Sequence, residues 1–149
     1  MQSPLVALGS DHAGFALKEE IKKILESLGV EYVDLGTYSE ESTDYPDYAA
    51  AVAKEVQKGS RGILCCGSGV GMSIAANKFK GIRAAVCHNP LAAELSRRHN
   101  DANVLAMGGR VISDPLIARE IVKAWLEAPF EGGRHQRRID KIKQFEEKN

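Results

Sequence analysis

The sequence predicts an α/β fold in which helices cover both faces of a five-stranded parallel sheet, a three-layer Rossmann-like arrangement. The first observation is that short apolar runs alternate with longer amphipathic segments through most of the chain. The second is that these segments are long enough to return the chain to the start of a parallel neighbouring strand. A basic segment follows the last alternation and predicts a C-terminal helical extension. The 149 residues are expected to form one domain, residues 1–149.

Each element follows from a local pattern. Strands are predicted where four or five mostly apolar residues precede a turn, at residues 5–8, 32–35, 62–65, 83–87 and 103–107. Helices are predicted where apolar residues recur every three or four positions, at residues 15–28, 47–57, 91–98 and 115–126, with residues 73–78 inside a further helix. Residues 36–46 are polar and turn-rich and are expected to form a loop. The basic residues 132–143 lead into the C-terminal helix.

Composition excludes several classes of protein. Lysine plus arginine and aspartate plus glutamate both number 20, so the formal charge is zero, which argues against a general nucleic-acid or membrane-surface binder. No apolar run approaches the length of a membrane span, and the N-terminal residues lack a secretory pattern. Three cysteines, two of them adjacent, do not form a disulfide framework, so a cytoplasmic location is expected.

The most informative segment is a glycine-rich turn. An apolar run ends in Cys65 and Cys66, and glycines follow at positions 67, 69 and 71 before an alanine-rich helix. Free N–H groups at such a helix start can hold an anion and favour the thiolate form of a nearby cysteine. A dinucleotide-binding fingerprint needs GxGxxG and an acidic residue near the end of the next strand, and this chain has neither. The turn also lacks the Gly-Lys-Ser/Thr ending of a P-loop. Two readings remain open, a tight turn without a ligand and a pocket for an oxyanion or phosphate.

The two adjacent cysteines must point to opposite sides of a strand, so at most one should enter the pocket. Cys66 is the better candidate because it adjoins Gly67. The alternatives are that Cys66 is a small core residue, or that it forms a strained vicinal disulfide with Cys65.

Other polar residues have both structural and functional readings. Asp11 can cap the following helix or accept hydroxyls of a substrate, and His12 can be a surface residue or bind phosphate. His99 follows two arginines at a predicted helix end, where cations are favoured by the helix dipole. It could equally act as a general acid or base, because imidazole titrates near neutrality; His88 is a weaker candidate.

The arginines suggest a small anionic substrate. Arg134 and Arg138 are four positions apart, so they share one face if this segment is helical and could clamp a phosphate. Arg110 follows two glycines after the last predicted strand. A basic run is more often a solvated face, but in a neutral chain a local cluster favours a small anion over a polymer.

These residues and motifs together closely resemble the type B ribose-5-phosphate isomerase family, which also includes allose-6-phosphate and galactose-6-phosphate isomerases. The resemblance covers nearly the whole chain. Its marks are SDHAG at 10–14, TDYP at 43–46, CGSGVGMSIAANK at 66–78, SRRHNDAN at 96–103 and FEGGRH at 130–135.

The resemblance implies an isomerisation of ribose 5-phosphate to ribulose 5-phosphate through a cis-enediolate, without a metal or a cofactor. By this likeness Cys66 is the base, Ser68 helps to move a proton between O1 and O2, and His99 opens the furanose ring. Some relatives place a glutamate in the loop as base, whereas this loop offers only Val70 and Met72. Ser68 stands where threonine is frequent, so substrate fit or rate can differ.

The resemblance also assigns the binding groups. The amides of Gly67, Gly69, Val70 and Gly71 are similar to the family's anion hole. Sugar contacts are implied for Asp11, Tyr45 and Asn100, and phosphate contacts for His12, Arg110, Arg134 and Arg138. In this family the sites lie between the subunits of a homodimer, with His99 and its neighbours supplied by the second chain, and dimers commonly pair.

Two alternatives remain open beside ribose 5-phosphate. A six-carbon sugar phosphate such as allose 6-phosphate could be preferred, since Ser68 and the loop 36–46 could leave more room. A non-catalytic sugar-phosphate sensor would use the same arginines and glycine turn, although binding alone does not require Cys66 and His99.

Overall fold

The computed structural model describes residues 5–149 and contains one sheet of five strands. The strands are β1 (Val6–Ser10), β2 (Tyr32–Asp34), β3 (Arg61–Cys66), β4 (Ala84–Val86) and β5 (Val104–Gly108). Their order across the sheet is β2-β1-β3-β5-β4, and every neighbouring pair is parallel. The predicted α/β fold is therefore confirmed.

Six helices accompany the sheet within the described residues. They are α1 (Phe15–Ser27), α2 (Tyr45–Gln57), α3 (Val70–Ala76), α4 (Pro90–Asn100), α5 (Pro115–Glu127) and α6 (Arg134–Lys148). The last of these is the predicted C-terminal extension, and it packs against α4. The extension therefore covers another helix and adds no strand.

Alternation along the strands produces two hydrophobic cores, one on each face of the sheet. Val6 and Leu8 of β1 face the first core, and Ala7 between them faces the second. Cys65 and Cys66 of β3 divide in the same way. This separation follows from the two-residue repeat of a strand. The prediction that the two cysteines point to opposite sides is confirmed.

The helices fill these cores with one apolar face each. In α1 the buried positions include Leu17, Ile21 and Leu25, which recur at helical spacing. Together with α4 and α5 this helix covers the first face, where Trp125 is fully buried. Residues of α2 and α3 cover the second face. The sheet is thus buried on both sides, as a parallel sheet requires.

Several element boundaries differ from the prediction at their ends. Helix α2 begins at Tyr45, inside the predicted loop, because Asp44 occupies the N-cap and Pro46 suits the first turn of a helix. Helix α3 begins at Val70, where glycines hid the first turn in the sequence pattern. Helix α4 continues to Asn100, so His99 lies within the helix and not after it.

The strand order fixes where a ligand can bind. From β1 the chain moves to β2 on one side, and it later returns to β3 on the other side of β1. Such a reversal leaves a crevice beyond the carboxyl ends of the two central strands, because the connections there diverge to opposite faces. The segments after β1, β3 and β5 meet at this crevice.

Candidate active site

A cleft of about 370 Å³ lies at the carboxyl ends of β1, β3 and β5. Its lining residues come from four separate parts of the chain and are Asp11, His12, Ala13, Tyr45, Cys66, Gly67, Ser68, Gly71, Arg110 and Val111. The fold therefore brings together most of the predicted site residues that follow strand ends. The parallel sheet is the cause, because all of its strands end at the same edge.

Cys66 is the cysteine that lines this cleft. Its side chain is 5% exposed, and its Sγ accepts a hydrogen bond from the Gly69 N–H at 3.1 Å. An N–H donor directed at sulfur stabilises negative charge there, as a proton-accepting thiolate needs. Cys65 faces the opposite core, where burial raises the pKa of its thiol and keeps it protonated. All three cysteines are free, so the fold contains no vicinal disulfide.

The glycine turn owes its shape to Gly69. Gly69 has φ +81°, a conformation that favours glycine, and a Cβ there would lie 3.0 Å from the carbonyl carbon of Met107. The next amide, that of Val70, donates to Ser68 Oγ at 3.2 Å. Gly69 and Val70 were predicted to bind the substrate, but neither lines the cleft. Their amides hold the thiol and the hydroxyl, which leaves the backbone at Gly67, Ser68 and Gly71 to face a ligand.

Arg110 is fixed beside the thiol by the end of β5. The Arg110 N–H donates to the Gly67 carbonyl at 3.0 Å, and the preceding N–H of Gly109 donates to the Cys66 carbonyl at 2.8 Å. The guanidinium lies close over Gly67, because a Cβ at Gly67 would stand 3.2 Å from Arg110 Nη1. The guanidinium of the exposed Arg110 therefore lies next to the turn, where it would stabilise an anionic group of a substrate.

Asp11 and His12 both line the cleft, and each side chain accepts a hydrogen bond from a backbone N–H. Asp11 Oδ1 accepts from the Gly14 N–H at 3.0 Å in the turn before α1; the N-cap of that helix is Gly14, so Asp11 is not its capping residue. His12 Nδ1 accepts from the Thr43 N–H at 3.1 Å, while the His12 N–H donates to Thr43 Oγ1 at 3.2 Å. In the neutral ring the proton must then be on Nε2, which can donate to a ligand. This role of Thr43 was not evident from the sequence, although the TDYP motif that contains it was a signal.

Tyr45 forms a wall of the cleft beside Gly71. It is 40% exposed, and its ring lies against Gly71, where a Cβ would come within 2.8 Å of the ring carbons. The absence of a side chain at Gly71 thus lets the ring approach α3. Tyr45 is the first residue of α2, so its position depends on the boundary that the sequence analysis missed.

The remaining predicted site residues lie near the amino ends of the strands, opposite the cleft. His99, Asn100, Arg134 and Arg138 are at the end of α4 and the start of α6. Helix α4 runs back from the carboxyl ends of the strands to their amino ends. This group is therefore separated from Cys66 by about the length of β5, which has five residues at about 3.3 Å each. Asn100 lines a second cavity of about 430 Å³ at the amino ends of β4 and β5.

His99 is surrounded by two residues that the sequence analysis missed. Its ring stacks on that of His135, with centroids 4.3 Å apart and planes 9° from parallel. Glu131 Oε1 lies 3.8 Å from His99 Nε2 and 3.4 Å from His135 Nε2. Desolvation, followed by the nearby charge of His99, lowers the pKa of His135. Both residues belong to the FEGGRH motif, which was the available signal.

These three side chains are the group with metal-ligating spacing among residues 5–149, with ligand atoms within 4.8 Å of one another. The sequence patterns contained no such cluster around His99. Because the stacked rings are nearly parallel, the lone pairs of their nitrogens lie in nearly parallel planes and do not converge on one point. The arrangement is therefore a stacked imidazole pair beside one carboxylate, and not a preformed chelate.

No helix of the described part of the chain has both the length and the apolar character needed to cross a membrane.

The fold and the cleft define an α/β protein with a cleft suited to a small anionic molecule, and a thiol is part of the lining of that cleft. Residues 6–142 match the Ribose/Galactose Isomerase family. The chain is 57% identical to ribose-5-phosphate isomerase B of Escherichia coli over 96% of its own length and 97% of that protein. It belongs to the Ribose/Galactose Isomerase family, which confirms the resemblance found in the sequence.

Solved structures agree with this assignment. Ribose-5-phosphate isomerase B of Clostridium thermocellum superposes with a TM-score of 0.94 at 51% identity, covering 97% of this chain and 98% of that one. The enzyme of Mycoplasma genitalium, with bound ribulose 5-phosphate, superposes with a TM-score of 0.94 at 43% identity and full coverage of both chains.

Proposed function

We propose that this protein interconverts ribose 5-phosphate and ribulose 5-phosphate. The observation that carries the proposal is the Cys66 thiol, held by the Gly69 amide in a cleft that also contains a hydroxyl and a cation. The similarity to ribose-5-phosphate isomerase B and to a structure with bound ribulose 5-phosphate supports the choice of substrate.

In this mechanism the Cys66 thiolate removes the proton from C2 of the open-chain aldose. The C2–H electron pair forms the C1–C2 double bond while the π pair of the C1 carbonyl moves to O1, which gives a cis-enediolate. The resulting thiol then returns a proton to C1 as the electron pair on O2 forms the C2 carbonyl. The Ser68 hydroxyl moves a proton between O2 and O1, so the product is the ketose and the enzyme is unchanged. Fixed N–H donors near the enediolate oxygen lower the barrier, and removal of one such donor in other enzymes costs about 2.7–4 kcal/mol.

Binding groups of the same chain orient the substrate. In this proposal Arg110 and His12 Nε2 hold the phosphate, and Asp11 and Tyr45 contact the sugar hydroxyls. The position of all four residues in the lining of one cleft supports these roles. Interactions with a remote phosphate fix C1 and C2 against Cys66, which turns binding energy into a gain in rate.

The active unit in this proposal is a homodimer or a dimer of dimers. Four predicted site residues lie at the opposite end of β5 from Cys66 in their own chain: His99, Asn100, Arg134 and Arg138. This separation supports the proposal that they act on the cleft of a second copy. His99 would open the furanose ring there, Asn100 would contact the sugar and the two arginines would clamp the phosphate. The free state of all three cysteines supports a reducing compartment such as the cytoplasm.

The first test measures ribulose 5-phosphate formed from ribose 5-phosphate by protein treated with a chelator. We expect activity in the parent, none in Cys66→Ala, and full activity in Cys65→Ala. The matched control is informative because Cys65 adjoins Cys66 but faces the opposite core. Equal activity in Cys66→Ala and parent protein would show that another group is the base, and an inactive chelated parent restored by a metal would refute the metal-free mechanism.

The second test addresses the shared site. Cys66→Ala and His99→Asn proteins are each assayed alone and then after subunit exchange. Random exchange of the two proteins makes half of the dimers mixed. If each site combines Cys66 of one chain with His99 of the other, a mixed dimer has one site with both residues intact and one site with both replaced. The mixture should then recover about a quarter of the parent activity, because a two-fold dimer has two equivalent sites. No recovery despite verified exchange would place both residues of a site in one chain.

A six-carbon sugar phosphate is a second candidate substrate. Ser68 favours it, because this residue lacks the methyl group that threonine would place beside the cleft. Comparison of kcat/KM for ribose 5-phosphate and allose 6-phosphate decides between them. Tight binding of both sugars with no exchange of the C2 proton would instead indicate a sensor.

A further inference from the structure

His88 makes a contact that the proposed reaction does not use. It follows β4 at the carboxyl edge of the sheet, and its Nε2 accepts a hydrogen bond from the Gly108 N–H at 2.9 Å. Gly108 is the last residue of β5. The side chain of His88 therefore binds the end of β5 just beyond the last backbone pairing of β4 with β5, which is Val86 with Ala106.

Gly108 in turn supports the glycine turn that holds the thiol. A Cβ at Gly108 would lie 2.6 Å from the carbonyl carbon of Ser68 and 2.8 Å from the Gly67 carbonyl oxygen. The backbones of the two segments are thus in direct contact. The next amide, that of Gly109, donates to the Cys66 carbonyl at 2.8 Å. The glycine turn therefore packs directly on the end of β5.

We propose that His88 is a positioning residue, which acts through Gly108 to hold Cys66 and Ser68 in their reactive geometry. The hydrogen bond fixes the end of β5, and the end of β5 fixes the turn. His88 itself does not line the cleft and touches no substrate in this scheme. The effect on turnover rests on the proposed isomerase function, whereas the effect on the reactivity of the thiol does not.

The state of the ring is consistent with this role. An Nε2 that accepts a hydrogen bond carries no proton, so the neutral ring must be protonated on Nδ1. Burial lowers the pKa of His88 and favours this neutral form. The side chain is therefore maintained as an acceptor under ordinary conditions.

Three variants test the proposal. His88→Leu removes the acceptor, and His88→Gln replaces it with an amide oxygen of similar reach. Asn89→Ala is the matched control, because Asn89 Oδ1 accepts from the Ala92 N–H at 2.8 Å and this bond caps α4 without contacting β5. If His88→Leu does not fold, His88→Asn, whose amide is one bond shorter, takes its place. Circular dichroism confirms that each variant is folded.

The first readout is the rate at which methyl methanethiosulfonate modifies Cys66, followed by mass spectrometry. It needs no substrate, so it remains valid if ribose 5-phosphate is not turned over. The second readout separates kcat from KM for ribose 5-phosphate. We expect His88→Leu to change the modification rate at least about threefold and to lower kcat about ten- to a hundredfold with little change in KM, since small displacements of reacting groups have effects of this size. His88→Gln should restore both quantities, and Asn89→Ala should change neither.

The proposal is wrong if His88→Leu leaves the modification rate and kcat at parent values. It is also wrong if Asn89→Ala lowers both as much as His88→Leu does, since the effect would then be a general loosening of the loop after β4. Failure of the glutamine variant to restore either quantity would exclude the acceptor as the cause. A parent protein that is inactive on ribose 5-phosphate, with the modification rates changed as expected, would refute the substrate assignment and leave the positioning role supported.

Discussion

Replacement of Gly69 by alanine should damage both the stability and the activity of this protein. At φ +81° an alanine is strained by about 1–2 kcal/mol. Its Cβ would also lie 3.0 Å from the Met107 carbonyl carbon and 3.2 Å from two further backbone atoms of that residue. Met107 is fully buried in β5 and cannot move freely, so the overpacking adds about 1–3 kcal/mol. The expected total is about 2–5 kcal/mol.

Gly81 provides a matched control for this experiment. It has the same φ of +81°, but a Cβ there would meet no atom within 4 Å. Gly81→Ala should therefore cost only the conformational part, about 1–2 kcal/mol. The difference between the two variants isolates the contact with the backbone of Met107.

The measurement is urea unfolding followed by the fluorescence of Trp125, the single tryptophan, which is fully buried. Isomerase assays on the same samples test the second consequence. Since the Gly69 amide donates to Cys66 Sγ, a shift of the turn should lower kcat about ten- to a hundredfold in Gly69→Ala and leave it unchanged in Gly81→Ala. Equal losses of stability in the two variants, with kcat retained in both, would refute the reasoning.

Three further predictions concern the ion pair between Lys18 and Asp34, the N-cap of α5 and the wall of the cleft at Tyr45. Asp34 contacts the fully buried Lys18, and Asp34→Asn should destabilise the fold by about 3–5 kcal/mol in urea unfolding, because the ammonium loses its counter-charge. Burial opposes ionisation of Asp34, but hydrogen bonds led by that from Lys18 outweigh it and hold the pKa of this carboxyl below its usual range. The ion pair therefore stabilises the protein above the ordinary carboxyl pKa, and this contribution should be lost as the pH falls through the depressed pKa; an acid limb of stability equally steep in Asp34→Asn would contradict this. Asp114→Ala removes the N-cap of α5 and should cost about 1 kcal/mol without a change in kcat, and a loss of activity at unchanged stability would be the contrary result. Gly71→Ala should raise KM several-fold at nearly unchanged stability, because the atoms nearest to the new methyl belong to the ring of Tyr45, which can turn away; an unchanged KM would show that the ring does not shape the substrate site.

Local sequence patterns were sufficient to predict the elements and the layered class of fold, but not the order of the strands in the sheet. The alternation of apolar runs and amphipathic segments predicted a parallel sheet with helices on both faces, and the two-residue repeat placed Cys65 and Cys66 in different cores. Errors occurred at element ends, as at Tyr45, where an N-cap and a proline in the first turn decide the boundary over a polar composition. A pattern of burial extends over many residues, whereas a helix end depends on one or two.

The candidate site was predicted less completely. Asp11, Cys66 and Arg110 were expected at strand ends and do meet in one cleft. The sequence did not reveal that the amide of Gly69 is directed at the thiol, since that depends on the backbone path of the turn. Nor did it reveal His135 beside His99, because contacts between α4 and α6 involve residues far apart in the chain.

The sequence by itself determined the class of fold, the family and the kinds of chemical group available, because these depend on periodicity and on motifs that are local in the chain. Only the tertiary structure decided which groups share a site. The parallel sheet aligns all of its strand ends and therefore gathers Cys66, His12 and Arg110 at one edge. The same geometry returns α4 to the opposite edge and carries His99 away from them, since a helix that connects parallel strands must run the length of the sheet.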